Sequence, residues 1–207
     1  MRSASGQYFL FHGDLPDGLV LEGDLAIDTE TMGLNLLRDR LCILQLSNGD
    51  GKAYLVQFDN AYHCPNLINL LSDSARCKIF HYARFDLAAI FYYLKLELTN
   101  VFCTKVASKL TRTYTDSHSL RELCREILGV NLSKQQQSSN WSMPELSMEQ
   151  IDYAAKDVVY LHKIKERLDS ELLRQDRYYL ARAIFDFLPT CAKLDLMGWD
   201  ELQILQH

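Results

Sequence analysis

The stretch Asp24-Leu25-Ala26-Ile27-Asp28-Thr29-Glu30-Thr31 decides the fold. Its first five residues are apolar and β-branched enough for a buried strand, and they follow the turn-forming pair Glu22-Gly23. Side chains alternate along a strand with period two, so Asp28 and Glu30 project from the same face, where one ion could bridge them. The chain then turns at Gly33, and a backbone lying close to a bound ligand favours a glycine there. An isolated Asp-x-Glu is most often a pair of solvated carboxylates ending a strand. The rest of the chain settles which reading holds.

Two further segments carry carboxylates in matching contexts. Cys77-Lys78-Ile79-Phe80-His81 reads as a short strand. Phe85 through Leu94 reads as a helix with an apolar stripe at Leu87, Ile90, Phe91 and Leu94, placing Asp86 in its first turn. A helix-start carboxylate favoured by the helix dipole would explain Asp86 alone. The third segment, Tyr153-Ala154-Ala155-Lys156-Asp157, belongs to a helix expected from about Ser147 through Leu168. Tyr153 and Asp157 are four apart and stack on one face, with Leu161 and Ile164 continuing toward the core. A carboxylate on the buried face of a helix is costly unless it is paired or holds a metal.

Asp28, Glu30, Asp86 and Asp157, in this order and each at the end of an element, resemble the DEDD superfamily of 3′→5′ exonucleases. The Tyr153-x-x-x-Asp157 spacing resembles its tyrosine branch, which includes ribonuclease D. Asp152 occupies the place where the other branch carries a histidine, which excludes that branch. Further likeness lies in Arg40 through Ser47, similar to the second strand of ribonuclease D-type domains. Ser119 through Cys124 with Leu128-Gly129-Val130 resembles a family helix closed by a glycine cap. Lys134 through Ser142 resembles the loop before the last catalytic helix. The match covers roughly residues 7–185. Tyr82 stands where many relatives have asparagine, and Met143-Pro144-Glu145 where many have Arg-Pro. These departures touch substrate contacts rather than ligands.

The resemblance implies an RNase H-like α/β fold, a mixed central sheet flanked by helices. It implies that Asp28, Glu30, Asp86 and Asp157 bind metal and, with Tyr153, form the catalytic set of a two-ion phosphodiester hydrolase. Oxygen ligands without a histidine or cysteine cluster favour Mg2+ or Mn2+ over Zn2+. Two such ions would clamp the attacking and leaving oxygens of an in-line displacement. A tyrosine pKa of about 10 makes Tyr153 a poor general base, so its hydroxyl is suited to orienting water. Leu34 matches the family's apolar residue that wedges against terminal bases. His81 and Phe85, beside Asp86, are candidate substrate contacts, and core packing or a satisfied structural histidine is the competing reading.

At 207 residues with 48% apolar content, the chain is expected to form one domain over 1–207, with a helical C-terminal extension from about residue 170. No linker, repeat or low-complexity run divides it. The longer ribonuclease D enzymes append helical nucleic-acid-binding domains, and the brevity here resembles the compact nanoRNase C group, which removes very short oligonucleotides. The net charge of −5 is unusual for a protein that grips long polyanions. Two bound dications would bring it near neutrality. Lys105, Lys109, Arg112, Arg121, Arg125 and Lys134 form a locally basic stretch, either an ordinary solvated face or a phosphate track.

The six cysteines lack metal-site spacing and read as buried thiols. Neither a signal peptide nor a run of roughly 18 apolar residues is visible, so a cytoplasmic location is expected. The stretch Tyr178 to Pro189 is a helix too apolar for a solvated terminus; it either packs on its own domain or forms the homo-oligomeric interface that the family resemblance implies. The expected activity is release of 5′-mononucleotides from short RNA oligonucleotides, down to dinucleotides. Two alternatives stay open at this level: an exonuclease for longer RNA 3′ ends or DNA, and a catalytically inactive nucleic-acid-binding module on the same fold.

Overall fold

The structure, a computed structural model, describes residues 2–3, 6–132, 139–199 and 204. Of the loop expected from Lys134 to Ser142, residues 134–138 lie outside the described residues, and with them Lys134 of the basic stretch. The described residues contain seven strands: β1 Arg2–Ser3, β2 Gly6–His12, β3 Leu25–Thr31, β4 Leu41–Ser47, β5 Lys52–Gln57, β6 Lys78–Phe80 and β7 Val101–Cys103. They form one sheet in the order β1-β2-β5-β4-β3-β6-β7. The pairs β2/β5, β3/β6 and β6/β7 are parallel, whereas β1/β2, β3/β4 and β4/β5 are antiparallel. The expected mixed central sheet flanked by helices is therefore present.

β4 is buried along its whole length because it lies inside the sheet and is covered on both faces. Leu41, Ile43, Leu44 and Leu46 are completely buried, each contributing about 1.5–3 kcal/mol of hydrophobic stabilisation. β3 extends further than its apolar run suggested. Pairing to β4 carries it through both carboxylates to Thr31, with a bulge between Glu30 and Thr31 that ends the regular ladder beside them.

The helices are α1 Pro65–Ser72, α2 Ala83–Leu94, α3 Thr104–Thr111, α4 Leu120–Leu123, α5 Met148–Val159, α6 Leu161–Arg174 and α7 Tyr178–Leu196. α4 runs into a turn of wider π geometry, Cys124–Leu128, which Gly129 closes in the left-handed region at φ 69°. α5 begins at a capping box: Gln150 donates its backbone N–H to Ser147, and its side chain accepts from the Ser147 backbone. The single helix expected over 147–168 is two. Tyr160, at φ −97° and ψ −13°, is the junction: it caps the end of α5 and the start of α6.

α5 packs on β3, β4 and β5, while α7 packs on α2 and β7. The inner face of α7 buries Ala181, Phe185, Leu188, Cys191 and Ala192 at helical spacing. This packing continues past Pro189, and the helix ends only at Leu196. Among the described residues no helix is long and apolar enough to cross a membrane.

Candidate active site

Three expected ligands meet at one end of β3. The packing of α5 against β3 brings Asp157 opposite the face carrying Asp28 and Glu30. One carboxylate oxygen from each of the three lies within 4.8 Å of the others. Asp157 lines the cleft, half-buried beside the buried Ala154 and Val158 of the same helix. Asp86 stands apart from this trio. It is 3% exposed in the first turn of α2 and accepts a 2.6 Å hydrogen bond from the hydroxyl of Thr29.

A residue read in the sequence only as part of a strand also belongs here. Gln45, fully buried opposite Asp28 on β4, donates its side-chain amide to Asp28 Oδ2 at 2.7 Å. Its Oε1 is buried without a hydrogen-bond partner among the described residues. Polar glutamine in the middle of Leu41-Cys42-Ile43-Leu44-Gln45-Leu46 was the available signal. A buried polar side chain in an apolar strand needs a partner, and Asp28 is that partner.

The crowding is written in the proton affinities. Burial pushes the Asp28 carboxyl up to about 7. Burial likewise raises Glu30, with Asp28, Asp157 and Asp86 adding repulsion. Asp86 and Asp157 are raised by burial and then by Asp28, although hydrogen bonds from Thr29 and Tyr153 oppose the rise. Tyr153 is raised by burial and by the neighbouring carboxylates, and its hydroxyl donates to Asp157. Crowded, desolvated carboxylates with hard oxygen donors fit a divalent cation, whose charge offsets both burial and repulsion.

Asp28, Glu30 and Asp157 line a cleft of about 650 Å³. Leu34 is 88% exposed at its edge, so core packing does not account for it. Phe85 lines the same cleft while packing partly on the core. His81 lines it too, with Nδ1 2.9 Å from the Thr104 hydroxyl. Burial, and then the Lys105 ammonium, pull its pKa down to about 3. His81 is therefore neutral at ordinary pH and meets a ligand as a hydrogen-bonding group, not a cation.

The basic stretch divides by position. Lys105 and Arg121 line the cleft, Lys105 lying 4.1 Å over the ring of Tyr82. Tyr82 adopts the left-handed region at φ 69° and ψ 47°. Arg112 is buried and paired with Glu126, and Arg125 pairs with Glu122 and Glu126 on the surface. Trp141, buried behind Tyr153 with ring centroids 6.1 Å apart, supports that side chain.

Gly33 lines the cleft and also meets a local requirement. Its φ is not in the left-handed region, and a Cβ there would lie 2.5 Å from Oδ2 of Asp39. The glycine makes room for a carboxylate of the same loop.

Comparison with known proteins agrees with this geometry. Residues 17–173 match the family model described as 3′-5′ exonuclease. Ribonuclease D of Granulibacter bethesdensis is 30% identical over 153 residues, covering 74% of this chain and 38% of that protein. The chain thus spans well under half the length of the ribonuclease D relatives it matches. The structure of Brucella melitensis NrnC bound to pGG superposes with a TM-score of 0.94 at 49% identity, covering 98% of this chain and 100% of that one. Brucella melitensis NrnC with bound Mg2+ gives a TM-score of 0.92 at 48% identity, covering 97% and 99%. The RNase H-like arrangement is common to these neighbours and to the present sheet.

Proposed function

The chain belongs to the 3′-5′ exonuclease family, and from that premise we propose that it is a metal-dependent exoribonuclease that trims short RNA oligonucleotides, down to dinucleotides, to 5′-mononucleotides. The observation that carries the reading is the convergence of the Asp28, Glu30 and Asp157 oxygens within 4.8 Å on the floor of the cleft. Asp28, Glu30, Asp157 and Asp86 are the residues that would hold two divalent cations, Mg2+ or Mn2+. The Mg2+ bound by the NrnC neighbour supports this choice. Such cations, when bound, supply the Lewis acidity and positive charge that displacement at phosphorus needs.

The chain's own residues do the positioning. Gln45 fixes the Asp28 carboxylate and Thr29 fixes that of Asp86, so ligand orientation is set before any cation arrives. The Tyr153 hydroxyl keeps its proton at neutral pH, because its pKa is raised, and it orients a water molecule for in-line attack. Leu34 and Phe85 offer apolar surface to the terminal bases, and neutral His81 offers a hydrogen bond. Among the described residues, Lys105 and Arg121 line the cleft as cations for phosphate. The neighbour NrnC bound to pGG supports a short ligand.

The same reading takes residues 1–207 as one functional unit working as a homo-oligomer, because the outer face of α7 exposes Tyr179, Leu180, Ile184 and Phe187. Six free thiols, five of them buried, support a reducing cytoplasmic setting. A time course on 5′-labelled RNAs from two to about twenty nucleotides, with Mg2+ and with Mn2+, tests the function. Stepwise shortening and fastest turnover of the shortest substrates is the expected result. Preference for long RNA or for DNA would move the assignment to ribonuclease D-like processing. Binding without cleavage under either metal would make the chain an inactive binding module.

A further inference from the structure

We propose that Asp39 is a positioning residue that holds the Leu34 loop over the cleft, and that Gly33 is glycine to let it do so. The inference rests on the reading of Leu34 as a base contact. Leu34 is 88% exposed, yet the backbone on both sides of it is tied down. Met32 donates its N–H to the Arg40 carbonyl at 3.0 Å, and the Thr31 hydroxyl donates to the Gly33 carbonyl at 2.5 Å. Beyond Leu34, the Asn35 N–H donates to Asp39 Oδ2 at 3.0 Å, while the Asp39 N–H donates to the Asn35 carbonyl at 2.6 Å. Tyr93 of α2 donates its hydroxyl to the Leu36 carbonyl at 2.7 Å. The loop is a closed ring standing on Asp39, and Leu34 is its apex.

Asp39 is 7% exposed although it belongs to a surface loop. Its carboxylate is fixed by the Arg38 guanidinium, through Nε at 2.6 Å and Nη2 at 2.8 Å. A Cβ at position 33 would meet Oδ2 at 2.5 Å and Cγ at 2.9 Å, so any larger residue displaces the carboxylate from Asn35. An apolar side chain held in solvent before its ligand arrives loses less conformational freedom on binding. Without the clasp, Leu34 would still be present but would have to be ordered at each encounter.

The clasp therefore acts on binding rather than on chemistry. For Asp39→Ala and for Gly33→Ala, KM on a dinucleotide should rise on the order of ten-fold with kcat within about two-fold. Asp39→Asn, which keeps an oxygen for the Asn35 N–H, should fall between these and the wild type. Amide exchange at residues 32–37 should accelerate in Asp39→Ala while the amides of β3 stay protected. Leu34→Ala should raise KM similarly, and Asp39→Ala should add little in the double variant, because both remove the same contact.

Wild-type KM in Asp39→Ala beside a raised KM in Leu34→Ala would overturn the clasp and leave the base-contact reading standing. Unchanged kinetics in Leu34→Ala would overturn both. Faster loop exchange in Asp39→Ala, in a protein that cleaves no oligonucleotide, would show the clasp as architecture and refute its role in substrate binding. A fall in kcat alone would place Asp39 in the chemistry and refute the proposal.

Discussion

Thr29 sits between the two carboxylates of β3 and gives its hydroxyl to Asp86 at 2.6 Å. Strand alternation turns Thr29 away from Asp28 and Glu30, so one residue couples two carboxylate-bearing elements, β3 and α2. Thr29→Val keeps the shape and removes the hydroxyl. Metal affinity, followed by calorimetry, should fall about 10–100-fold, the usual cost of losing a partner behind a ligand. Stability should drop by about 1–3 kcal/mol, because Asp86 stays buried with one fewer donor. Unchanged metal binding would show that Asp86 needs no such support.

Asp28→Asn and Asp157→Asn should each leave the fold intact and abolish turnover, because each removes a ligand charge. Their metal-free forms should melt no lower than the wild type, since each substitution removes a buried negative charge from a repelling cluster. Added Mg2+ should raise the melting temperature of the wild type and raise that of the variants much less. Near wild-type turnover in either variant at saturating metal would sink the ligand assignment.

The same crowding sets a pH dependence for the metal-free protein. The Asp28 carboxyl, ordinarily near 3.8, is pushed up to about 7 in the folded state, and Glu30, Asp86 and Asp157 rise as well. The folded protein holds these protons more tightly than the unfolded chain does. Their contribution to stability is therefore greatest below the ordinary carboxylate range and is lost as pH rises through about 7. The gap between Asp28→Asn and wild-type melting temperatures in chelator should widen across that interval. Saturating Mg2+ should close most of the widening. A gap independent of pH would mean that Asp28 titrates normally.

The legible part of the site was the part governed by short periods. Asp28 and Glu30 share a face because a strand repeats every two residues, and Tyr153 and Asp157 share one because a helix repeats near four. What the sequence did not reveal depends on contacts between distant segments. The 2.7 Å bond of Gln45 to Asp28 needs the β3/β4 register, which no local pattern sets. β2 and β5, whose parallel pairing extends the sheet beyond β4, join segments about 45 residues apart and were not anticipated. The face running from Tyr153 and Asp157 to Leu161 and Ile164 looked like one helix because the break at Tyr160 leaves the near-four spacing of these residues intact. Gly33 was recognised as special, but its crowding by Asp39, six residues on, was not legible.

Tyr153→Phe should slow turnover on the order of 10²–10⁴-fold, the usual contribution of a positioned proton-handling group. The hydroxyl donates to Asp157, so its loss should also raise the Asp157 pKa further. The acidic limb of the rate profile should then move to higher pH. Packing against Trp141 is retained by phenylalanine, so the melting temperature should barely change. Unchanged kcat would reduce Tyr153 to a packing residue.

The proposed function ties assembly and substrate length together through α7. Its inner face is consumed by α2 and β7, but Tyr179, Leu180, Ile184 and Phe187 are 38–64% exposed along the outer face. A contiguous apolar face of this kind is unusual on a monomer's surface. A closed symmetric assembly is the usual way to cover one. Neighbouring copies would narrow the approach to each cleft, favouring substrates too short to need a binding track. Ile184→Glu with Phe187→Glu keeps the helix and charges that face. Light scattering should show wild type as an oligomer and the double variant as a monomer or small species. The ratio of kcat/KM on a two-nucleotide RNA to that on a twenty-nucleotide RNA should fall in the variant. A wild-type monomer at micromolar concentration would remove the basis for confinement. A dissociated variant with an unchanged length ratio would show that short-substrate preference resides within the single cleft.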